Sequence, residues 1–431
     1  MRDLNRLDEL SRRDLLAAAA RGLLGVGILP LVPSLLHAGD PAPAPRSAPR
    51  PMARNVIMLY MAGGMSHLDT FDPKTDKDVQ GPVQAIKTSA DGIQISEYLP
   101  LTARHMHHFA VMRSITSTQG AHEQGNYYVH TSYRMLGTIR HPAMGSWISS
   151  LSGRTNETLP ANVLIDGNAQ HPGPGYLEAK YGPLPIGNPE AGLQHSTAAK
   201  GVDEARFNRR MQLLDHINQP FQERFDQKQV RGYRDLYEEA VALMRSRDLS
   251  AFDVTQESES MRDAYGEDRF GQGCLLARRL IEHDVRFVEV TLGGWDTHDE
   301  NFDRVQARAA ILDRGLSTLM ADLDARGLLD ETMVVLATEF GRTPRINGNN
   351  GRDHHSKCFT MMLAGGGIKG GQVVGSSDER GENVAEGHVT VPDFNATIAY
   401  GLGLPLDQVI TAPNGRPFTI ADKGVPLTRL F

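Results

Sequence analysis

At 431 residues the chain can bury a large core, as one big domain or as two or three smaller ones. Charged residues make up 23% and the formal net charge is −7, and nothing in them suggests a nucleic-acid binder, which would show a basic patch or stripe. Against that background a substrate anion needs local positive charge, which singles out Arg342, Arg345 and Arg352.

The N-terminus reads Ser11-Arg12-Arg13-Asp14-Leu15-Leu16, followed by a small-residue apolar run from Ala17 to Leu36. This pattern predicts a twin-arginine signal peptide over residues 1–38, cut after Ala38, with Leu15 where Phe is commonest. It implies the twin-arginine translocase as a partner and a periplasmic or extracellular destination. An uncleaved membrane tether is the alternative, weakened by the prolines and glycines of the run. Residues 39–54 form a Pro/Ala linker, and folded structure is expected from 55 to 431 as a single α/β domain.

Asn55 to Met61 reads as a buried strand that breaks at Ala62-Gly63-Gly64. His67, Asp69 and Asp72 follow in a cluster that turn and helix-cap chemistry would also explain. A helix is expected at Glu97–His108, a strand at Phe109–Ile115, and a helix up to Met135 after the polar stretch that holds His122. Val163–Asp166 is a short strand, and residues 168–200, rich in Gly, Pro and His, read as irregular surface. Val202–Arg247 shows two amphipathic helices split near Arg231-Gly232, so a largely helical and irregular insertion covers about 168–265. A helix at Phe270–His283, a strand at Val285–Leu292 and a helix at Phe302–Arg326 come next. The β-branched-rich run Met333–Thr338 suits a strand buried on both faces. A strand at Phe359–Ala364 and a helix at Asp393–Leu402 complete the pattern. This alternation of strand, polar strand-end and helix predicts a mostly parallel central sheet flanked by helices. Cys274 and Cys358 offer no zinc spacing; they suit two buried thiols, although an oxidising compartment permits a bridge.

Three strand ends carry chemistry: GGMSHLDTFD, GGWDTHDEN, and TEFGR with its trailing GRDHH. In open α/β sheets, sites lie at such ends. If the last two strands are neighbours, Asp296, His298, Glu339, Asp353 and His354 face one crevice. Carboxylate and imidazole together suit Zn, Mn or Fe rather than Ca or Mg alone. The bland explanation of each Asp-x-His pair is loop capping. There is no GxxxxGK[ST], no GxGxxG after a strand and no GxSxG elbow, which argues against nucleotide-binding and α/β-hydrolase chemistry.

The segments MAGGMSHLDTFDPK, RFGQGCLLARRLIEHDVRFVEVTLGGWDTHDENF, TEFGRTPRINGNNGRDHH and LAGGGIKGGQVVGSSDERGE resemble the exported bacterial family called domain of unknown function 1501. That family is similar to the alkaline phosphatase and sulfatase superfamily. The resemblance implies a parallel α/β sheet, one or two divalent ions and hydrolysis of phosphate or sulfate esters. It departs in detail: Ala62-Gly63-Gly64 stands where a metal-binding Asp is usual, Phe340 follows Glu339, and no C/S-x-P-x-R run exists. The nucleophile position falls on His122. The expectation is an exported metal-dependent hydrolase acting on a small-molecule or polysaccharide ester. Asp296, His298, Glu339, Asp353 and His354 would hold metal, His122, His67 and Asp69 would act on substrate or hold a second ion, and Arg342 and Arg352 would bind the anion. A non-catalytic binding or cell-surface protein on the same fold is the rival.

Overall fold

The run NVIMLYM, buried at every position, forms strand β1 (Asn55–Met61) at the heart of a nine-stranded sheet. In this computed structural model the described residues are 51–194, 196, 200–225 and 228–431; the expected twin-arginine signal peptide lies outside them. The other strands are β2 (Phe109–Thr116), β3 (Asn162–Ile165), β4 (Leu184–Ile186), β5 (Phe287–Leu292), β6 (Thr332–Ala337), β7 (Phe359–Ala364), β8 (Gln372–Val374) and β9 (Val389–Thr390). Their order is β8-β2-β7-β6-β1-β5-β3-β4, with β9 beside β2.

β1 pairs in parallel with β5 (Met61 opposite Leu292) and with β6 (Tyr60 opposite Ala337). Only β7 runs antiparallel to its neighbours β2 and β6. The carboxyl ends of β1, β2, β5 and β6 therefore share one edge with the start of β7.

Strand alternation sends side chains to two cores. Ile57, Leu59 and Met61 join Leu275 and Leu276 of helix α5 (Arg269–Glu282) and Leu316 and Leu319 of α6 (Asn301–Ala325). Val56, Met58 and Tyr60 join Trp147 and Ile148 of α2 (Met144–Ser152) and Phe394 and Ile398 of α7 (Val391–Gly401). Helix α1 (His122–Thr131) follows β2. A strand buried on both faces can afford no charge without a partner, a point that bears on Glu289 below.

Most expected elements form within two residues of their predicted ends. Three differ. The Glu97–His108 helix shrinks to a 3-10 turn, Thr102–His108, because Pro100 biases Leu99 away from helical backbone. The irregular 168–200 stretch contributes the edge strand β4, whose Pro185 is tolerated at a sheet edge. The helical pair is α3 (Glu204–Arg224) and α4 (Lys228–Arg245), with Gly232 inside the second helix and not at the break. Cys274 and Cys358 are both buried and free. No helix among the described residues is long and apolar enough to cross a membrane.

Candidate metal centre

The shared strand edge gathers side chains from four segments. His122 is the first residue of α1. Asp296 and His298 lie in the loop after β5, and Glu339 follows β6 by two residues. His354 sits on a two-residue ribbon, His354–His355, paired antiparallel with Gly341–Arg342, which sets it opposite Arg342. Two glycines allow the loops to close. A Cβ at Gly63, whose φ is +118°, would lie 2.6 Å from the Asp296 nitrogen. A Cβ at Gly351 would lie 1.8 Å from the His298 carbonyl oxygen.

The hydrogen-bond pattern fixes which ring nitrogens are free. His122 Nδ1 is 2.9 Å from Glu339 Oε1, His298 Nδ1 is 2.8 Å from Asp353 Oδ1, and His354 Nδ1 is 2.9 Å from the Gly120 carbonyl. Carboxylates and carbonyls only accept, so each Nδ1 carries the proton, and each ring, when neutral, presents a lone pair at Nε2. Those three Nε2 atoms converge on one oxygen, Asp296 Oδ1, at 3.2 Å (His122), 3.2 Å (His298) and 3.4 Å (His354). His298 Nε2 and His354 Nε2 are 3.0 Å apart. His122 Nε2 is buried yet makes no hydrogen bond. Lone pairs crowded this closely repel one another unless a ring proton or a metal cation lies among them. His122, Asp296 and His354 place ligand atoms within 4.8 Å of one another, with His298 Nε2 beside them, and each ring is anchored through its other nitrogen; this donor set and its orienting partners fit a divalent ion such as Zn²⁺.

The electrostatics divide, with Asp296 and His354 suited to holding a cation and His122 drawn toward its charged form. Burial alone would raise the Asp296 carboxyl, but the Arg342 guanidinium and the nearby imidazoles hold it at about 2. Burial lowers the His354 imidazole below its ordinary value, which favours the neutral, metal-binding form. The Glu339 hydrogen bond, working against burial, raises His122. Phe340 is fully buried and packs beside His122 and His354, with centroids 5.1 and 4.6 Å away. The mouth is open, since the Asp296 and His298 side chains are 46% and 44% exposed.

Seven expected residues come together here: His122, Asp296, His298, Glu339, Arg342, Asp353 and His354. Their roles divide. Glu339 is saturated by Gly63 N, Tyr60 OH, His122 Nδ1 and Thr338 Oγ1, so it orients His122. Asp353 orients His298 in the same way. Arg342 spends its donors on the Gly63, Gly64 and Arg352 carbonyls and, at 2.6 Å, on Asp296.

The other three expected residues lie in the scaffold. His67 is fully buried, bonded to the Gly381 carbonyl at 2.9 Å, stacked near His355 and lowered to about 4 by burial. Asp69 and Arg352 are fully buried and grip each other at 2.8 and 3.1 Å. Ser66 and Asn301 complete the shell of Asp69, while Arg352 also serves the Val79, Thr343 and Pro344 carbonyls.

Sequence reasoning passed over a second cluster. Glu289, in the middle of β5, meets His130 Nε2 at 3.0 Å and His171 Nε2 at 3.4 Å. The signal was an acid inside the apolar run VRFVEVTL. Tyr60 lies between the clusters, its ring edge-on to His130 at 4.5 Å and its hydroxyl 3.0 Å from Glu339 Oε2.

A family described as protein of unknown function (DUF1501) matches residues 53–431. No curated protein matches the chain. Among solved structures the chain is similar to the PsFucS1 sulfatase from Pseudoalteromonas sp., at 12% identity and a TM-score of 0.37, over 83% of this chain and 68% of that one. It is also similar to the lipoteichoic acid synthase LtaP from Listeria monocytogenes, at 9% identity and a TM-score of 0.36, over 82% and 73%. A third likeness, to the alkaline phosphatase from the Antarctic bacterium TAB5, has 12% identity and a TM-score of 0.31 over 73% and 92%. At these values the chemistry must be argued from the chain's own residues.

Proposed function

The chain belongs to the DUF1501 family of proteins of unknown function, and we propose that it is an exported metal-dependent hydrolase of phosphate or sulfate esters. One observation carries the metal dependence: three imidazole lone pairs, fixed by acceptors at Nδ1, converge on Asp296 Oδ1. His122, His298, His354 and Asp296 would hold a single ion of the Zn, Mn or Fe class. When bound, such an ion acts as a Lewis acid on an ester oxygen and acidifies a coordinated water.

The residues around it have separate tasks. Glu339 and Asp353 keep His122 and His298 in the metal-binding tautomer. Arg342 holds Asp296 in place and sets a buried positive charge behind it. Phe340, buried, packs against the His122 and His354 rings. No serine, threonine or cysteine side chain among the described residues is hydrogen-bonded to these four ligands, so an activated water suits the attack better than a covalent nucleophile. The ester class follows the motif resemblance, and a polysaccharide or lipid head group is the substrate we favour.

A second reading, a non-catalytic metal-binding protein on the same fold, is favoured by one observation: the donors of Arg342 are already committed within the protein. Metal-loaded protein assayed on aryl phosphate and aryl sulfate separates the two. Hydrolysis that disappears in Asp296→Asn supports the hydrolase. Stoichiometric metal with no turnover of phosphate, sulfate or polysaccharide esters supports the binder.

A further inference from the structure

His130, His171 and Glu289 are residue types that bind metal, and their ligand atoms lie within 4.8 Å of one another. The far nitrogen of each ring decides what the cluster holds. His130 Nδ1 is 2.7 Å from the Asn126 carbonyl, one turn back on α1, so that nitrogen carries a proton. His171 is wired the opposite way. Its Nδ1 accepts the Gly173 backbone N–H at 3.1 Å. In the neutral ring the proton therefore sits on Nε2, which faces Glu289 Oε2 at 3.4 Å. A ring held in that tautomer offers no lone pair to an ion at Nε2. This is the reverse of the first centre, where every Nδ1 donates.

Of the two imidazoles only His130 then remains as a possible ligand, its Nε2 3.0 Å from Glu289 Oε1. A lone pair and a carboxylate oxygen at that separation repel unless a proton lies between them. We infer that His130 is an imidazolium paired with Glu289, so that a proton fills the position in which these residue types would suit a second cation. The pair is closed to solvent, with side chains 2% and 3% exposed.

The groups facing His130 are Glu289 from β5, His171 from the loop after β3, the Asn126 carbonyl from its own helix and Tyr60 from β1, with Glu339 beyond Tyr60. Two are carboxylates, and none is a permanent cation. Burial alone would lower the His130 imidazole, but the Glu289 charge carries it above its ordinary value. Burial alone would raise Glu289, yet the two histidines hold it far below the usual carboxylate range.

The consequence for the first centre is one ion per chain. That count rests on the proposed metal-dependent function, whereas the protonation of His130 stands by itself. The imidazolium also underlies the tyrosine that anchors Glu339, so the charge pair supports the orientation of His122 from below.

Two measurements test this on the whole mature chain. Histidine-selective ¹⁵N NMR at pH 8 reads both nitrogens of His130. Both in the protonated range, with that signature lost in Glu289→Gln, is the expected result. A neutral His130 overturns the inference. Metal per chain is then counted by elemental mass spectrometry in the parent, in Glu289→Gln and in His171→Phe. One ion in all three is expected, and two in the parent falling to one in either variant overturns the inference. If Glu289→Gln does not fold, His171→Phe, which leaves the His130–Glu289 pair intact, carries the count. A metal-free parent whose His130 is protonated contradicts the hydrolase and upholds the ion pair.

Discussion

Replacing Glu339 with Gln separates an orienting carboxylate from a ligand. Glu339 Oε1 accepts from His122 Nδ1 at 2.9 Å and from Gly63 N at 2.8 Å, while Oε2 takes the Tyr60 hydroxyl at 3.0 Å. The amide keeps an oxygen for His122 and Gly63 but removes the charge. It also turns an NH₂ group toward a hydroxyl that had been donating. Charge-assisted hydrogen bonds are about twice as strong as neutral ones, and orienting partners of metal-bound histidines contribute roughly 10- to 100-fold in affinity. The expected loss is therefore about 1.4–2.7 kcal/mol of binding free energy. Titration of metal-stripped protein with Zn²⁺ against a chelating dye reads this directly, with thermal unfolding as the control for folding. Unchanged affinity would refute the orienting role. A loss as complete as that of His354→Ala would make Glu339 a ligand.

Arg352→Met leaves the Asp69 carboxylate buried without its ion-pair partner, and denaturant titration should show a loss of about 3–5 kcal/mol. His67, fully buried and lowered to about 4, gives stability a pH dependence. Between the ordinary histidine value of about 6.5 and about 4, the unfolded chain binds a proton that the folded chain does not, so stability falls as pH falls, by about 3 kcal/mol over that window. A His67→Gln variant should lose that part of the acid sensitivity in urea titrations at pH 7 and pH 4.5. Gly63→Ala places a methyl group 2.6 Å from the Asp296 nitrogen at a φ of +118°. It should cost about 1–3 kcal/mol in stability and weaken metal binding, measured by unfolding and by dye competition.

The sheet was legible because its strands are apolar runs ending in glycine or polar residues, and β1, β5, β6 and β7 form where such runs stand. The convergence of Asp296, His298 and His354 was partly legible, since the carboxyl ends of parallel strands share one edge, although β1 stands between β5 and β6, which are not the neighbours that were expected. What composition cannot convey is which of two hydrogen-bonded groups touches the ion. Glu339 and Asp353 are the right residue types in the right place, yet they sit at Nδ1, on the far side of the rings. His67, Asp69 and Arg352 follow a strand end as promisingly as Asp296 does. Their full burial, and the pairing of Asp69 with a residue 283 positions away, are tertiary facts. The His130–Glu289 pair joins residues 159 apart, and its one local sign was an acid within an apolar strand.

Metal content by elemental mass spectrometry tests the central claim most directly, on protein purified without chelator, beside a His298→Ala/His354→Ala variant. One Zn, Mn or Fe per chain in the parent, absent from a folded variant, is the predicted result. No metal in either, with both folded, would contradict the metal centre and the hydrolase built on it.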